Sequence, residues 1–253
     1  VARHLLFHDS QYPQAVRSGL VAALRAGRVP GRFLYDSPGQ AARWLAYHAA
    51  WSPSRTLDEL SGLYQAAFEA IWAQRSQPEL TLIGVGCGGG RKDAGFLACG
   101  PREADLRYVP ADTSAALVLS ASAEAEEARP DATLLPIVVD LQAEPSRADF
   151  LQGDERRPAV WSCLGLLPNL DADWLLPYVA HLMAPQDTLL ISANLSPGTH
   201  QDARDLIVPQ YDNPEARAWY RGALDELGLG EEDATLSMSD RALTTTGDAW
   251  RIE

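Results

Sequence analysis

An apolar, strand-forming run that stops at a cluster of glycines constrains this chain more than any other feature. Residues 80–92 read L-T-L-I-G-V-G-C-G-G-G-R-K, and Gly84, Gly86, Gly88, Gly89 and Gly90 fall within seven positions. Without a Cβ, glycine allows a tight turn and a close approach of backbone to a bound group. A strand that ends this way and feeds a helix is the nucleotide-cofactor turn of a doubly wound α/β domain. The turn says where such a cofactor sits, not which one it is.

The rest of the chain agrees with that architecture. Apolar runs recur at 80–85, 106–111, 134–139, 160–164 and 188–193, separated by segments of helical composition such as 115–128 and 172–183. This alternation predicts an α/β fold, with a doubly wound, mostly parallel, Rossmann-like sheet and right-handed crossovers. The first 79 residues differ. Helical patterns at 14–26 and 57–75 flank G-R-F-L-Y-D-S-P-G-Q and W-L-A-Y-H-A-A-W-S-P-S-R. We read 1–79 as an N-terminal helical cap over the carboxyl edge of the sheet and 80–195 as the cofactor-binding core. Residues 196–234, with a helical stretch at 202–227, read as an insertion on the substrate side. The tail 235–253 reads as a hairpin, turning at Gly247 and Asp248, that completes the sheet.

Charge and cysteine usage narrow the function. With 34 acidic against 21 basic residues the formal charge is -13. Nucleic acid and anionic membranes both call for a basic footprint, so neither is expected as a partner. A small-molecule substrate is. No apolar run approaches the roughly 20 residues that span a bilayer, and the start of the chain lacks a signal-peptide pattern. Cys87, Cys99 and Cys163 are odd in number and scattered, without disulfide or zinc spacing, which fits a reducing cytoplasm. The five histidines do not cluster, so no metal is expected. Lys92, the only lysine, lies in the glycine turn.

Open α/β sheets bind ligands at the carboxyl ends of their strands. In order, those ends carry Gly86, Asp112, Asp140 and the loop 163–169. Asp112, in V-P-A-D, is placed to accept from a ribose diol, and Asp140, in V-V-D-L, to read an adenine amino group. Either acid also suits a plain loop or helix cap. The run 84–89 satisfies G-x-G-x-x-G, so NAD and S-adenosylmethionine (SAM) both remain open on the turn alone. The segment P-Q-D-T-L-L-I-S at 185–192 resembles the entry to the fifth strand of class I methyltransferases and favours SAM.

A narrower resemblance runs in order through most of the chain. F-L-Y-D-S-P-G (33–39), W-S-P-S-R (51–55), V-G-C-G-G-G-R-K (85–92), Y-V-P-A-D (108–112), L-G-L-L-P-N-L (164–170), P-Q-D-T-L-L-I-S (185–192) and V-P-Q-Y-D-N-P-E-A (208–216) are similar to the histidine Nα-methyltransferase family of ergothioneine biosynthesis. The resemblance implies a class I fold, SAM as cofactor and S-adenosylhomocysteine as product. It implies that Gly86 and Lys92 line the methionine end of SAM, that Gly88 also binds the cofactor, that Asp112 holds the ribose and that Asp140 lies on the adenine side. Asn169 and Tyr35 match catalytic positions, and Tyr35, Trp51, Asn169 and Tyr211 match substrate-binding ones. Packing is the plainer role for Tyr35 and Tyr211, and capping the helix before D-A-D-W is the plainer role for Asn169. Three departures stand out. Gly84 occupies a position where the family carries Glu. W-S-P-S-R replaces Y-Y-P-T-R. The family's imidazole-reading strand would follow Glu253, so histidine specificity is not carried over. The expected function is SAM-dependent methylation of a small amino-acid-like acceptor. The alternatives are a methyltransferase for an unrelated small molecule, a non-catalytic methyltransferase-like binding or regulatory domain, and an NAD-dependent oxidoreductase.

Overall fold

The computed structural model describes residues 4–75, 78–167, 169–193, 198–233, 235–237, 240–242 and 250–252, the last two stretches by backbone alone. In chain order the elements are β1 (Leu6–Phe7), α1 (Pro13–Arg25), α2 (Pro38–Trp51), α3 (Pro53–Thr56), α4 (Asp58–Ala73), β2 (Glu79–Val85), α5 (Arg91–Cys99), β3 (Asp105–Asp112), α6 (Ala115–Ala128), β4 (Thr133–Leu134) and β5 (Ile137–Val138). They continue as α7 (Arg147–Leu151), β6 (Ala159–Leu164), α8 (Ala172–Leu182), β7 (Thr188–Ser192), α9 (His200–Tyr211), α10 (Pro214–Glu226), β8 (Asp240–Ala242) and β9 (Trp250–Ile252).

Seven parallel strands form one sheet in the order β1-β5-β3-β2-β6-β7, with β4 also paired to β3. β2 is central, and six of its seven residues are buried. Strands buried on both faces read as unbroken apolar runs, which is why 80–85 is legible in sequence. One face packs Ile83, Val109 and Trp161 against Leu175 and Val179 of α8. The other packs Leu80, Leu82 and Tyr108 against Phe68 and Trp72 of α4, Phe96 of α5 and Ala121 of α6. Helices on both faces make this the doubly wound, Rossmann-like fold. From β2 the chain builds outward through β3 and β5, then crosses back to lay β6 on the other side of β2. The glycine turn at the end of β2 therefore stands at the topological switch point, where such sheets open a crevice.

Four local expectations change. The run 134–139 is two short strands, because Pro136 has no N–H to give the ladder. β1 is an added edge strand within the segment read as a helical cap, and it pairs with β5 through Leu6 and Phe7. The stretch 202–227 is two helices. Asn213 accepts from the Ala216 N–H as the cap of α10 and Pro214 follows at its first position, so the chain restarts there rather than running through. The hairpin at the tail pairs β8 with β9 antiparallel, but as its own two-stranded sheet rather than an extension of the main one. Its two strands of three residues complete their ladder on each other. Its expected turn at Gly247 and Asp248 lies outside the described residues.

Asp187, in the P-Q-D-T turn ahead of β7, is a buried hub. Its carboxylate accepts from the Arg147 guanidinium, from the N–H groups of Ala184 (2.9 Å) and Ala159 (3.0 Å), and from Trp161 Nε1 (3.0 Å). It joins the start of β6 to the turn entering β7 and so sets that pair in register.

Candidate functional site

The turn after β2 runs through three left-handed glycines, Gly86, Gly88 and Gly90, with φ of 62°, 51° and 78°. It is pinned to the neighbouring strand end. The Cys87 N–H donates to the Ala111 carbonyl at 3.1 Å, and the Gly88 N–H donates to Asp112 Oδ2 at 3.1 Å. Asp112 Oδ1 accepts from the Ser114 N–H at 3.0 Å. Burial raises the Asp112 carboxyl above the ordinary range, and the Ser114, Gly88 and Thr113 hydrogen bonds offset part of that rise. A carboxylate offers about four lone-pair sites, so acceptor capacity remains beyond these bonds.

Asp140 stands at the next strand end, two residues past β5. Val138 of β5 is in register with Asp112, and the Val139 N–H donates to the Asp112 carbonyl at 2.8 Å. Asp140 is not free. Its Oδ2 accepts from Arg32 Nη1 at 2.6 Å and its Oδ1 from the Gln142 N–H at 3.0 Å. Arg32, which the sequence did not single out, also donates to Gln11 Oε1 at 2.9 Å. The N-terminal segment thus reaches Asp140 directly.

On the other flank of the turn, Lys92 Nζ lies 4.9 Å from the Tyr64 ring centroid and beside Gly165, just past β6. Tyr64 in turn donates to Ser192 Oγ of β7 at 3.0 Å. His48 of α2 was not anticipated either. Burial, with the charges of Lys92 and Arg55 beside it, pushes its pKa down to about 4, so the imidazole is neutral at pH 7.

Above the turn sits an aromatic cap. Tyr47, Trp219 and Ala216 are buried, with Leu34, Tyr35, Trp44, Trp51 and Tyr220 packed around them. Tyr35 meets Trp44 edge-on at 5.7 Å and Trp219 at 5.3 Å, and Trp44 stacks on His48 at 4.8 Å. The Tyr35 hydroxyl is held far above its usual pKa, first by burial and then by the charge of Asp112 and the phenols of Tyr220, Tyr211 and Tyr47. Tyr35 thus packs, through Trp44, over the turn that Asp112 pins, and Tyr211 is half-buried at the end of α9. Trp51 donates its indole N–H to Glu215 Oε2 at 3.1 Å, clamping α2 to α10. Asn169 is exposed in the turn before α8, and the cap of that helix is Asp171, not Asn169. Residues 44, 47, 48 and 51 have the i, i+3, i+4, i+7 spacing of one helix face. That spacing was the signal for Trp44, Tyr47 and His48.

The tips of two side chains close over the glycines. A Cβ added at Gly86 would stand 2.4 Å from Leu166 Cδ2, and one at Gly88 would stand 2.7 Å from Trp44 Cη2. The donor set suits a sulfonium nucleoside. A half-buried acid with acceptor capacity meets a ribose, an ammonium meets a carboxylate, and aromatic faces meet a cation. Among the described residues no group of three His, Cys, Asp or Glu side chains is arranged for a metal, and no helix is long and apolar enough to cross a membrane.

A parallel sheet with a glycine turn at its switch point and an acid on the adjacent strand end defines a Rossmann-like nucleotide-cofactor fold, the fold of class I methyltransferases. The sequence pattern of the histidine-specific, SAM-dependent methyltransferases matches residues 12–225. The chain belongs to that family. It is a SAM-dependent methyltransferase that acts on a small molecule, so its cofactor is SAM rather than NAD. No curated protein matches the chain.

Proposed function

We propose that the enzyme N-methylates a small amino-acid-like acceptor held between the cap and the carboxyl ends of β2, β3 and β6. The carrying observation is that Asp112 and the aromatic cap meet on one turn: the Gly88 N–H donates to Asp112 Oδ2 at 3.1 Å, the tip of Trp44 lies over Gly88, and Tyr35 packs edge-on against Trp44 at 5.7 Å. In this reading Asp112 holds the ribose, Asp140 and its partner Arg32 flank the adenine, and Gly86, Gly88 and Lys92 line the methionine end. Tyr35, Tyr211, Asn169 and the ring of Trp51 enclose the acceptor. The tips of Leu166 and Trp44 swing aside as cofactor enters.

SAM, when bound, supplies the methyl group from its sulfonium. The protein's task is alignment and exclusion of water, which together account for most of the acceleration in such a transfer. An α-amino group has a reference pKa of about 8, so a neutral fraction is present at pH 7 without a strong base. Tyr35 stays protonated and acts as a donor that orients the acceptor. The Asn169 side-chain oxygen accepts from the amine and turns its lone pair toward the methyl group. Neutral His48 adds no charge beside Lys92. The replacement of Y-Y-P-T-R by W-S-P-S-R, with the Trp51 N–H spent on Glu215, favours an acceptor whose carboxylate is held differently from histidine's.

A thermal shift tests the cofactor assignment. SAM and S-adenosylhomocysteine raise the unfolding midpoint, and NAD does not. Calorimetry tests the ribose contact. Asp112→Ala removes a charged acceptor and is expected to weaken SAM binding by about 2–3 kcal/mol. Unchanged SAM affinity in that variant refutes the role. Mass spectrometry of candidate amino acids and amines incubated with enzyme and SAM then identifies the acceptor class, and methylation on oxygen or carbon alone overturns the N-methylation reading.

A further inference from the structure

Asp93 is a buried carboxylate that takes no part in holding Asp112, Asp140 or the aromatic cap. It sits in the first turn of α5 beneath the glycine turn and is only 4% exposed. Its Oδ2 accepts from the Tyr108 hydroxyl of β3 at 2.8 Å, and its Oδ1 from the Ser162 hydroxyl of β6 at 2.6 Å. It therefore bridges the two strands that flank β2. Gly84 of β2 lies directly against it. A Cβ added at Gly84 would stand 2.2 Å from Asp93 Oδ2 and 3.1 Å from the Tyr108 hydroxyl. The carboxylate of α5 thus fills the volume that a side chain on β2 would occupy. Gly84 is also the position at which the resemblance leads one to expect a Glu.

We propose that Asp93 is a positioning residue for the cofactor turn, supplying from α5 the buried carboxylate that the family's pattern supplies from the strand. Glycine at 84 and aspartate at 93 are then one exchange. A carboxylate from both sides would overlap, and one from neither would leave the Tyr108 and Ser162 hydroxyls without their acceptor. The inference rests on the SAM reading of the turn. An apolar filler of this volume costs less than a buried carboxylate, so the charge is retained for what it holds.

The charge has a direction. Burial pushes the Asp93 pKa up to about 6, against the pull of Ser162, Tyr108 and Lys92. The titratable and charged groups facing it are Lys92 beside it on α5, Cys87 in the turn, Tyr108 on β3 and Cys163 on β6, with Asp112 acting on Cys87 and Tyr108 in turn. Above its pKa the ionised carboxylate favours a positively charged sulfonium over the neutral sulfur of S-adenosylhomocysteine. Below it that preference fades.

Titration calorimetry with SAM and with S-adenosylhomocysteine tests this on wild type, Asp93→Asn, Asp93→Ala and the exchange variant Gly84→Asp/Asp93→Ala. In wild type the preference for SAM is expected to shrink severalfold between about pH 7.5 and about pH 5.5, and in Asp93→Asn to be small and flat. Asp93→Ala is expected to lose about tenfold in SAM affinity and less for S-adenosylhomocysteine, and the exchange variant to recover most of it. The proposal is overturned if Asp93→Asn keeps the wild-type preference and pH profile. It is also overturned if the exchange variant, folded by circular dichroism, recovers nothing. Should Asp93→Ala fail to fold, the exchange variant must fold and bind, or the proposal falls. Failure of wild type to bind either nucleoside is a different result and strikes the cofactor assignment instead.

Discussion

Gly90→Ala is expected to lower stability by about 3–5 kcal/mol, a large loss for the addition of a single methyl group. Two terms combine. Gly90 holds φ at +78°, where an L-residue with a Cβ is strained by about 1–2 kcal/mol. The added Cβ would also stand 2.4 Å from the Cα of Ala121 and 2.6 Å from its Cβ. That neighbour is helix backbone, not a rotatable side chain, so α6 has to move away from α5 to make room. For a domain of this size the midpoint falls by about 10 °C. Two controls separate the terms. Gly153→Ala, at φ +98° with nothing within 4 Å, carries only the conformational strain of about 1–2 kcal/mol. Gly19→Ala, in α1 with open space around it, is expected to stabilise by about 0.5–1 kcal/mol. If urea unfolding ranks Gly90→Ala with Gly153→Ala, the close approach of α6 is wrong.

Asp187→Ala is expected to cost about 3–5 kcal/mol, because it strips a buried charge pair of one partner. The Asp187 side chain is fully buried, and it leaves behind the Arg147 guanidinium, two backbone N–H groups and the Trp161 indole N–H. Asp187→Asn retains one acceptor oxygen and should lose less. The effect has a defined pH range. Burial alone would raise the Asp187 carboxyl, but donation by Arg147, Ala184, Trp161 and Ala159 outweighs it and holds the group below its ordinary value. A carboxylate whose folded pKa is depressed contributes fully above its unfolded value, about pH 4, and the contribution is lost as pH falls through the folded value. The stability gap between wild type and Asp187→Ala should therefore be flat from about pH 5 to 8 and narrow below about pH 4. A gap that instead narrows as pH rises through neutrality would show that the hub is not ionised.

How legible the molecule was depended on how local each cause is. Helix α6 was readable end to end, since its Ala- and Glu-rich run carries its own propensity and Ser114 caps it by accepting from the Leu117 N–H. β2 was readable because an apolar run ended by glycines is a signal within one stretch of chain. β1 was not. Its two residues become a strand only by pairing with Ile137 and Val138, some 130 positions away, and two residues carry no period. The break between α9 and α10 is written in D-N-P, but the helical composition on either side masks it.

The site divides in the same way. The placement of Gly86, Asp112 and Asp140 at neighbouring strand ends was legible because strand ends follow from strand positions, and adjacent parallel strands bring their ends together. Arg32 on Asp140, His48 beside Lys92, and Leu166 and Trp44 on the glycines were not, since each contact joins segments whose approach depends on how the cap docks. Gly84 read alone was a missing acid, and only the packed sheet shows the Asp93 carboxylate filling the space beside it.

By itself, the sequence determined the α/β order, the glycine turn, the acids at the strand ends and the family, because each rests on residues adjacent along the chain or repeated at a fixed period. The tertiary structure alone decided which side chains close over the turn, which carboxylates are already partnered and where the buried charge under β2 comes from. Those are questions of distance between parts of the chain far apart in number, and only close packing answers them.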